Sequence, residues 1–118
     1  MVINIRQTFV AQILARDANA AVIMAGDCNE FQVAQPILTF KSVSGLIDLD
    51  DAAGIPDTER YTYTFGQDME SLDHTFLSHS IAKKGVKGEH IHVNTWVSFS
   101  DQVSDHDPTV AKLNVCKS

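Results

Sequence analysis

Three short polar clusters hold the side chains of this sequence that are best suited to chemistry: GDCN at 26–29, LDH at 72–74 and SDHDP at 104–108. Each has a purely structural alternative, because Asp, Asn and Pro are common in turns and helix caps. Asp73 is the hardest to explain in that way, since it stands inside an apolar strand pattern, where a buried charge is costly unless it is paired. A histidine is a natural partner for such a carboxylate.

The three clusters together contain the groups that metal-assisted phosphoester hydrolysis requires. Asp105 is a suitable oxygen ligand for a hard divalent cation. Asp27, together with the Asn29 amide, is suited to orient and deprotonate a water molecule that attacks phosphorus. His106, held in one tautomer by a carboxylate such as Asp73, is suited to stabilise the charge that develops on the phosphoryl oxygens.

The apolar pattern predicts the elements that must position these clusters. Apolar residues at three- and four-residue intervals predict an amphipathic helix over about 5–15, and the run AAVIMA at 20–25 predicts a short, fully buried strand. A second helix is predicted over 36–44, ended by Gly45. Alternating patterns predict further strands at 60–65, 71–78, 90–99 and 109–115. This order predicts a mixed α/β (α+β) fold with a partly antiparallel sheet.

The bulk properties indicate one globular domain and leave the compartment open. The chain has 118 residues, of which 44% are hydrophobic and 20% charged. The formal net charge of −6 argues against a general affinity for nucleic acid or for anionic membranes. The longest apolar run is too short to span a bilayer, and no signal peptide is visible, so the localisation stays unassigned.

In this order and at these distances, GDCNEF, LDHTFLS and SDHDP closely resemble the last three motifs of the endonuclease/exonuclease/phosphatase superfamily, which has the DNase I-like fold. Those motifs run GDxN, then a strand of the form (L/I)D(H/Y)(I/F)(F/L)xS, then SDHxP. The resemblance extends from roughly Ile23 to Val115. It implies a two-sheet sandwich flanked by helices, of which this chain would form a part.

The resemblance implies a role for each matched side chain. Asp27 would orient or deprotonate the attacking water, or protonate the leaving group, and Asn29 would bind the scissile phosphate and position Asp27. Asp105 would contribute to the site of a divalent metal, Mg²⁺ or Mn²⁺. His106 would contact the phosphate as general base or transition-state stabiliser, and Asp73 would pair with it.

Several neighbouring residues carry no expected catalytic role. His74 stands where relatives often have Tyr or Trp, and we expect it to be structural, while Asp107 fills the variable position of SDHxP. Trp96 is expected in the core. His90 and His92 share one face of a predicted strand, but no third residue is spaced to complete a transition-metal site with them. The alternating aromatic residues Tyr61, Tyr63 and Phe65 are expected to pack against the sheet, with the lining of a substrate groove as the alternative.

The resemblance covers only the C-terminal half of the superfamily domain. The N-terminal half supplies a Gln-Glu strand motif, whose Glu is the principal metal ligand, and an additional catalytic His, and the sequence contains neither feature. We therefore expect residues 1–118 to form a single partial endonuclease/exonuclease/phosphatase domain, with a mixed and largely antiparallel sheet.

Two functions remain open at this point. The first is a metal-dependent phosphoesterase of nuclease or phosphatase type, in which water attacks phosphorus and the partner is a nucleic acid or a small phosphoester. The second is a catalytically incomplete fragment, or a non-enzymatic binding module, that lacks the N-terminal Glu ligand and associates through an uncovered apolar sheet face. The sequence does not separate nuclease, phosphatase and lipid phosphodiesterase activities.

Overall fold

The computed structural model describes residues 2–116, with side chains described from residue 9 onward, and this part of the chain forms a compact mixed α+β domain with four helices and small antiparallel sheets. Its elements, in chain order, are α1 (Val2–Arg16), β1 (Ile23–Asp27), α2 (Gln35–Ser44), β2 (Ile47–Asp48), α3 (Leu49–Ala53), β3 (Tyr63–Phe65), β4 (Asp68–Glu70), β5 (Asp73–Leu77), α4 (His79–Ala82), β6 (Val86–His90) and β7 (Thr109–Leu113). The α+β class predicted from the sequence is confirmed. None of the described helices is long and apolar enough to cross a membrane.

Strand β5 is the centre of the largest sheet, whose order is β1-β5-β2. Both of its neighbours run antiparallel to it, and Leu77 lies opposite Ile23 of β1 and Ile47 of β2. The pairs β3–β4 and β6–β7 form two further antiparallel sheets. The predicted antiparallel pairing is therefore confirmed, although the described strands form three small sheets instead of one.

Helix α2 covers one face of the central sheet. Its first turn contains Pro36, which fits there because the first N–H groups of a helix have no intrahelical partner. It ends at Gly45, whose φ of 68° lies in the left-handed region that glycine adopts without strain, and whose N–H donates to the Lys41 carbonyl. Ile37 and Phe40 on its inner face are almost fully buried.

Two hydrophobic clusters lie on opposite sides of β5, because successive side chains of a strand point to opposite faces. Phe76 belongs to the first cluster, where its ring packs on Phe40 with the centroids 4.9 Å apart. Leu77 belongs to the second cluster, with Leu49 and Ile81. Strand β5 is therefore fixed from both faces, and it holds Asp73 at its first position.

Two strand predictions were wrong in detail. β1 is an edge strand, not a fully buried one, and Ile23 is 49% exposed, because β1 pairs with β5 on one side only. The strand predicted over 90–99 ends at His90, and the pairing with β7 uses 86–90 instead. The chain turns after His90 because the backbone N–H groups of Asn94 and Thr95 both donate to the Asp107 carboxylate.

The expected positions of two aromatic residues were also wrong. Trp96 lies in this turn and is 74% exposed, so it is not a core residue. Phe65 is 67% exposed at the end of β3, whereas Tyr61 on the same predicted face is buried. The hairpin β3–β4 projects beyond the core, and its outer end has no layer to cover it among the described residues.

Replacement of Phe76 by Ala is expected to lower the free energy of unfolding by about 3–5 kcal/mol, because the fully buried ring would leave a cavity beside Phe40. The matched control is Phe65→Ala, which removes an exposed ring and should change this free energy by less than about 0.5 kcal/mol. Urea unfolding followed by circular dichroism measures both. Equal losses in the two variants would contradict this account of the core.

Candidate active site

The central sheet brings the three polar clusters of the sequence together. Asp27 ends β1 and Asp73 begins β5, and the antiparallel register places them opposite each other. His106 lies in the loop before β7. A single antiparallel β-bridge between His106 and Tyr63 holds this loop beside the two carboxylates. Asp27, Asp73 and His106 each offer one potential ligand atom, and these atoms all lie within 4.8 Å of one another.

Asp73 and His106 form a close ion pair. The Nδ1 atom of His106 lies 2.6 Å from Asp73 Oδ2, and both side chains are about three-quarters buried. The same carboxylate oxygen accepts a hydrogen bond from the hydroxyl of Thr62 at 2.7 Å. The Thr62 hydroxyl in turn accepts hydrogen bonds from the backbone N–H groups of Leu72 and Asp73. Thr62 therefore fixes the carboxylate that orients the imidazole.

Asp27 and Asn29 form a closed turn at the end of β1. Asn29 donates to both carboxylate oxygens of Asp27, from its backbone N–H at 2.8 Å and from its side-chain amide at 3.2 Å. It does so with a φ of 50°, in the left-handed region that Asn tolerates better than most residues. Gly26 before it has a φ of 153°, which a residue with a Cβ rarely adopts. The local sequence GDCN thus sets the orientation of an exposed carboxylate.

The electrostatic surroundings of His106 favour its charged form. Partial burial acts to lower the pKa of His106, but the hydrogen bond to Asp73 and the negative charge of Asp73 outweigh it. The charges of Asp27 and Asp105 act in the same direction, so the pKa of His106 lies above its ordinary value of 6.5. The backbone around His106 is also held, because its carbonyl accepts from the Asn94 side chain at 2.7 Å.

Asp105 borders the site but is outside the cluster of three potential ligands. It is exposed and lines an open cavity of about 450 Å³ beside His106. The other residues around this cavity are Asn29, Glu30, Phe31, Tyr63, Phe65, Glu70 and Leu72. No Lys or Arg is among the described residues that line it, so an anionic substrate would meet an acidic wall. The role of Asp105 as a metal ligand stays a prediction.

His74 has a structural position, as expected. Its side chain is buried in β5, and its Nε2–H donates to the backbone carbonyl of Glu30 at 2.8 Å. This bond holds the segment that follows Asn29 against the sheet. The imidazole also stacks on Phe76, with the ring centroids 5.8 Å apart.

Asp107, for which no catalytic role was expected, has a structural role that was not foreseen. It is 4% exposed, and its carboxylate accepts four hydrogen bonds, from His92 Nδ1, the Thr95 hydroxyl and the backbone N–H groups of Asn94 and Thr95. Burial alone would raise the pKa of Asp107, but these donors outweigh burial and lower it. Its backbone N–H donates to the Thr62 carbonyl at 2.7 Å. Asp107 therefore fastens the segment that carries His106 to two neighbouring loops.

The sequence held no local signal for Thr62 or Asp107 as supporting residues. The side-chain partners of Asp107 lie 12–15 positions earlier in the chain, and Thr62 lies 11 positions before Asp73. The only available sign was that Thr62 faces away from the aromatic stripe of its predicted strand.

No family model, curated protein or solved structure matches this chain.

Replacement of Asp73 by Asn is expected to lower the pKa of His106, because it removes the carboxylate that does most to raise it. Imidazole NMR titration should place the midpoint of wild-type His106 above 6.5 and that of the variant at lower pH. Because the folded-state pKa is the raised one, the contribution of this pair to stability is complete below pH 6.5 and is lost as the pH rises through the folded-state pKa. Asp68→Asn, at an exposed position of β4, is the control and should leave the midpoint of His106 unchanged. An unchanged midpoint in Asp73→Asn would contradict the pairing of Asp73 with His106.

Replacement of Asp107 by Ala is expected to lower the free energy of unfolding by about 3 kcal/mol, because it leaves buried donors on His92, Asn94 and Thr95 without an acceptor. Asp68→Ala, which truncates an exposed carboxylate, should change the free energy by less than about 0.5 kcal/mol. Urea unfolding at neutral pH measures the difference. A loss in Asp107→Ala no larger than in the control would show that Asp107 does not anchor these loops.

Proposed function

We propose that this chain carries part of a DNase I-like phosphoesterase site of the endonuclease/exonuclease/phosphatase type, which hydrolyses a phosphodiester or phosphomonoester bond by attack of water at phosphorus. The observation that carries the proposal is the Asp73–His106 pair at 2.6 Å, with Asp27 opposite it across the β1–β5 pairing. These are the same residues that the three sequence motifs select. An antiparallel central sheet with a helix on one face is compatible with one layer of a two-sheet sandwich.

Asp27 is the residue best placed to act on the attacking water. Asn29 holds both of its carboxylate oxygens from one side, and the rest of the carboxylate is exposed. A fixed, solvent-exposed carboxylate can orient a water molecule and take its proton. Asn29 lines the cavity beside His106 and can also contact a phosphoryl oxygen.

His106 is better suited to stabilise charge than to act as a base. Its raised pKa favours the imidazolium, which has no free lone pair to accept a proton. Nδ1–H is directed at Asp73, so the second ring nitrogen, Nε2, can donate to a phosphoryl oxygen. Of the two roles that the resemblance offers for His106, these observations favour transition-state stabilisation.

The donors around the site suit a hard divalent cation. Carboxylate oxygens of Asp27, Asp73 and Asp105 and the amide oxygen of Asn29 are of the type that Mg²⁺ and Mn²⁺ prefer. We assign Asp105 to hold the ion, since Asp73 is already paired with His106. A bound cation would supply positive charge to the phosphoryl oxygens, which the acidic cavity itself lacks.

The expected result in a phosphatase and phosphodiesterase assay is hydrolysis that depends on Mg²⁺ or Mn²⁺ and stops on addition of EDTA. With p-nitrophenyl phosphate and bis-p-nitrophenyl phosphate as substrates, Asp27→Asn and His106→Ala should each lower kcat at least about 100-fold, because each removes a group that acts on the reacting atoms. His79→Ala is the matched control, since His79 is exposed on α4 outside the site.

Equal activity in wild type, Asp27→Asn and His106→Ala would contradict the proposal. A folded wild-type chain that hydrolyses neither substrate with either metal would contradict hydrolysis by this chain, and would favour the alternative of a catalytically incomplete fragment or a non-enzymatic binding module.

A further inference from the structure

A second cavity, of about 580 Å³, lies away from the candidate active site; we refer to it as the His92 cavity. It is bordered by the C-terminal end of α3 and the turn that follows it, by the second half of β6, and by the segment after β6. The residues that line it include Glu59, Glu89, His92 and Trp96. The proposed phosphoesterase chemistry uses none of these four residues.

His92 is held rigidly in the wall of this cavity. Its side chain is 6% exposed, and its ring stacks on Tyr61 with the centroids 3.9 Å apart and the planes 4° from parallel. Trp96 stacks on it less closely, at 5.6 Å, and the Trp96 indole N–H donates to the Tyr61 hydroxyl. The position of the imidazole is therefore fixed before any ligand is present.

The hydrogen bonds of Asp107 set the tautomer of His92. Asp107 is a carboxylate that accepts from three donors besides His92, so it acts as an acceptor toward the imidazole as well. His92 Nδ1, 2.9 Å away, must then carry the proton. In the neutral imidazole this leaves a lone pair on Nε2.

The Nε2 atom of His92 is buried and has no hydrogen-bond partner among the residues that the structure describes. It lies 3.4 Å from Glu59 Oε2, which is within ion-pair distance but does not meet the geometry of a hydrogen bond. Two acceptors, an imidazole lone pair and a carboxylate oxygen, thus face each other across a short gap. Either a proton on Nε2 or a bound cation would relieve this repulsion.

The geometry fits a tetrahedral transition-metal ion. Two ligands bound to Zn²⁺ at about 2.0–2.1 Å lie about 3.3–3.4 Å apart at the tetrahedral angle, and the gap between Glu59 and His92 is 3.4 Å. A metal-binding histidine typically donates its other ring N–H to a carboxylate, as His92 does to Asp107. The nitrogen ligand favours Zn²⁺ over Mg²⁺, which prefers oxygen ligands alone.

We propose that Glu59 and His92 Nε2 bind a divalent transition-metal ion of the Zn²⁺ type in the His92 cavity, with Asp107 as the outer partner that orients the imidazole. Water would complete the coordination, and Glu89 is another residue that lines this cavity. This site is separate from the phosphoesterase proposal and does not depend on it. It takes a nitrogen and an oxygen ligand, whereas the proposed Mg²⁺ or Mn²⁺ site takes oxygen ligands.

The test is calorimetric titration with Zn²⁺ in an Asp27→Asn, His106→Ala background, which removes the competing cluster of Asp27, Asp73 and His106. One Zn²⁺ should bind per chain. Glu59→Gln should weaken the affinity at least about tenfold, since loss of even an outer partner costs that much. The Glu59 side chain is 54% exposed, so this variant should fold normally. His79→Asn is the matched control and should leave the affinity unchanged, because His79 is exposed on α4.

Imidazole ¹⁵N NMR distinguishes a bound metal from a bound proton. On addition of Zn²⁺, the His92 Nε2 resonance should move while the Nδ1 proton stays in its hydrogen bond to Asp107. The proposal is overturned if the background protein binds no Zn²⁺, if Glu59→Gln binds it as tightly as the background, or if Nε2 of His92 carries a proton with Zn²⁺ present. Loss of binding in Glu59→Gln together with the Nε2 shift supports it.

Discussion

The antiparallel pairing of β1 with β5 is the constraint on which the candidate active site depends. In an antiparallel pair the last residue of one strand lies opposite the first residue of the other, so Asp27 and Asp73 meet at one end of the sheet. Two carboxylates placed opposite each other in this way repel each other unless positive charge or hydrogen-bond donors offset their negative charges. Asn29 supplies donors to one, and Thr62 with His106 supplies them to the other. The sheet register therefore creates the need for the polar partners that surround it.

Thr62 connects this site to the loops behind it. Its hydroxyl donates to Asp73, and its carbonyl accepts the backbone N–H of Asp107. The carboxylate of Asp107 then binds His92 on the wall of the second cavity. A continuous set of hydrogen bonds thus runs from the Asp73–His106 pair to the His92 cavity through two buried residues. Asp107 thus links the two cavities, since it follows His106 in the chain and binds His92 through its carboxylate.

More of the candidate site than of the architecture around it could be predicted from the sequence. Asp73 could be predicted to need a partner because its strand pattern is apolar, and His106 is that partner. The α+β class followed from the order of elements. The exposed face of β1 could not be inferred, because an apolar run does not reveal whether a strand has one neighbour or two. The anchoring role of Asp107 depends on side-chain partners 12–15 positions away, and the Glu59–His92 contact depends on tertiary packing between distant loops.

Charge balance gives the strongest physical reason to expect cations in this protein. The wall of the candidate active site carries Glu30, Glu70 and Asp105, with no described Lys or Arg among its lining residues, and the whole chain has a net charge of −6. A phosphoester brought to such a wall would be repelled at short range. The imidazolium of His106 supplies one positive charge. The negative charge of Asp73, which is closely paired with it, already cancels much of that positive charge. This acidic wall is the reason that the proposal of a phosphoester substrate includes a divalent ion held by oxygen ligands.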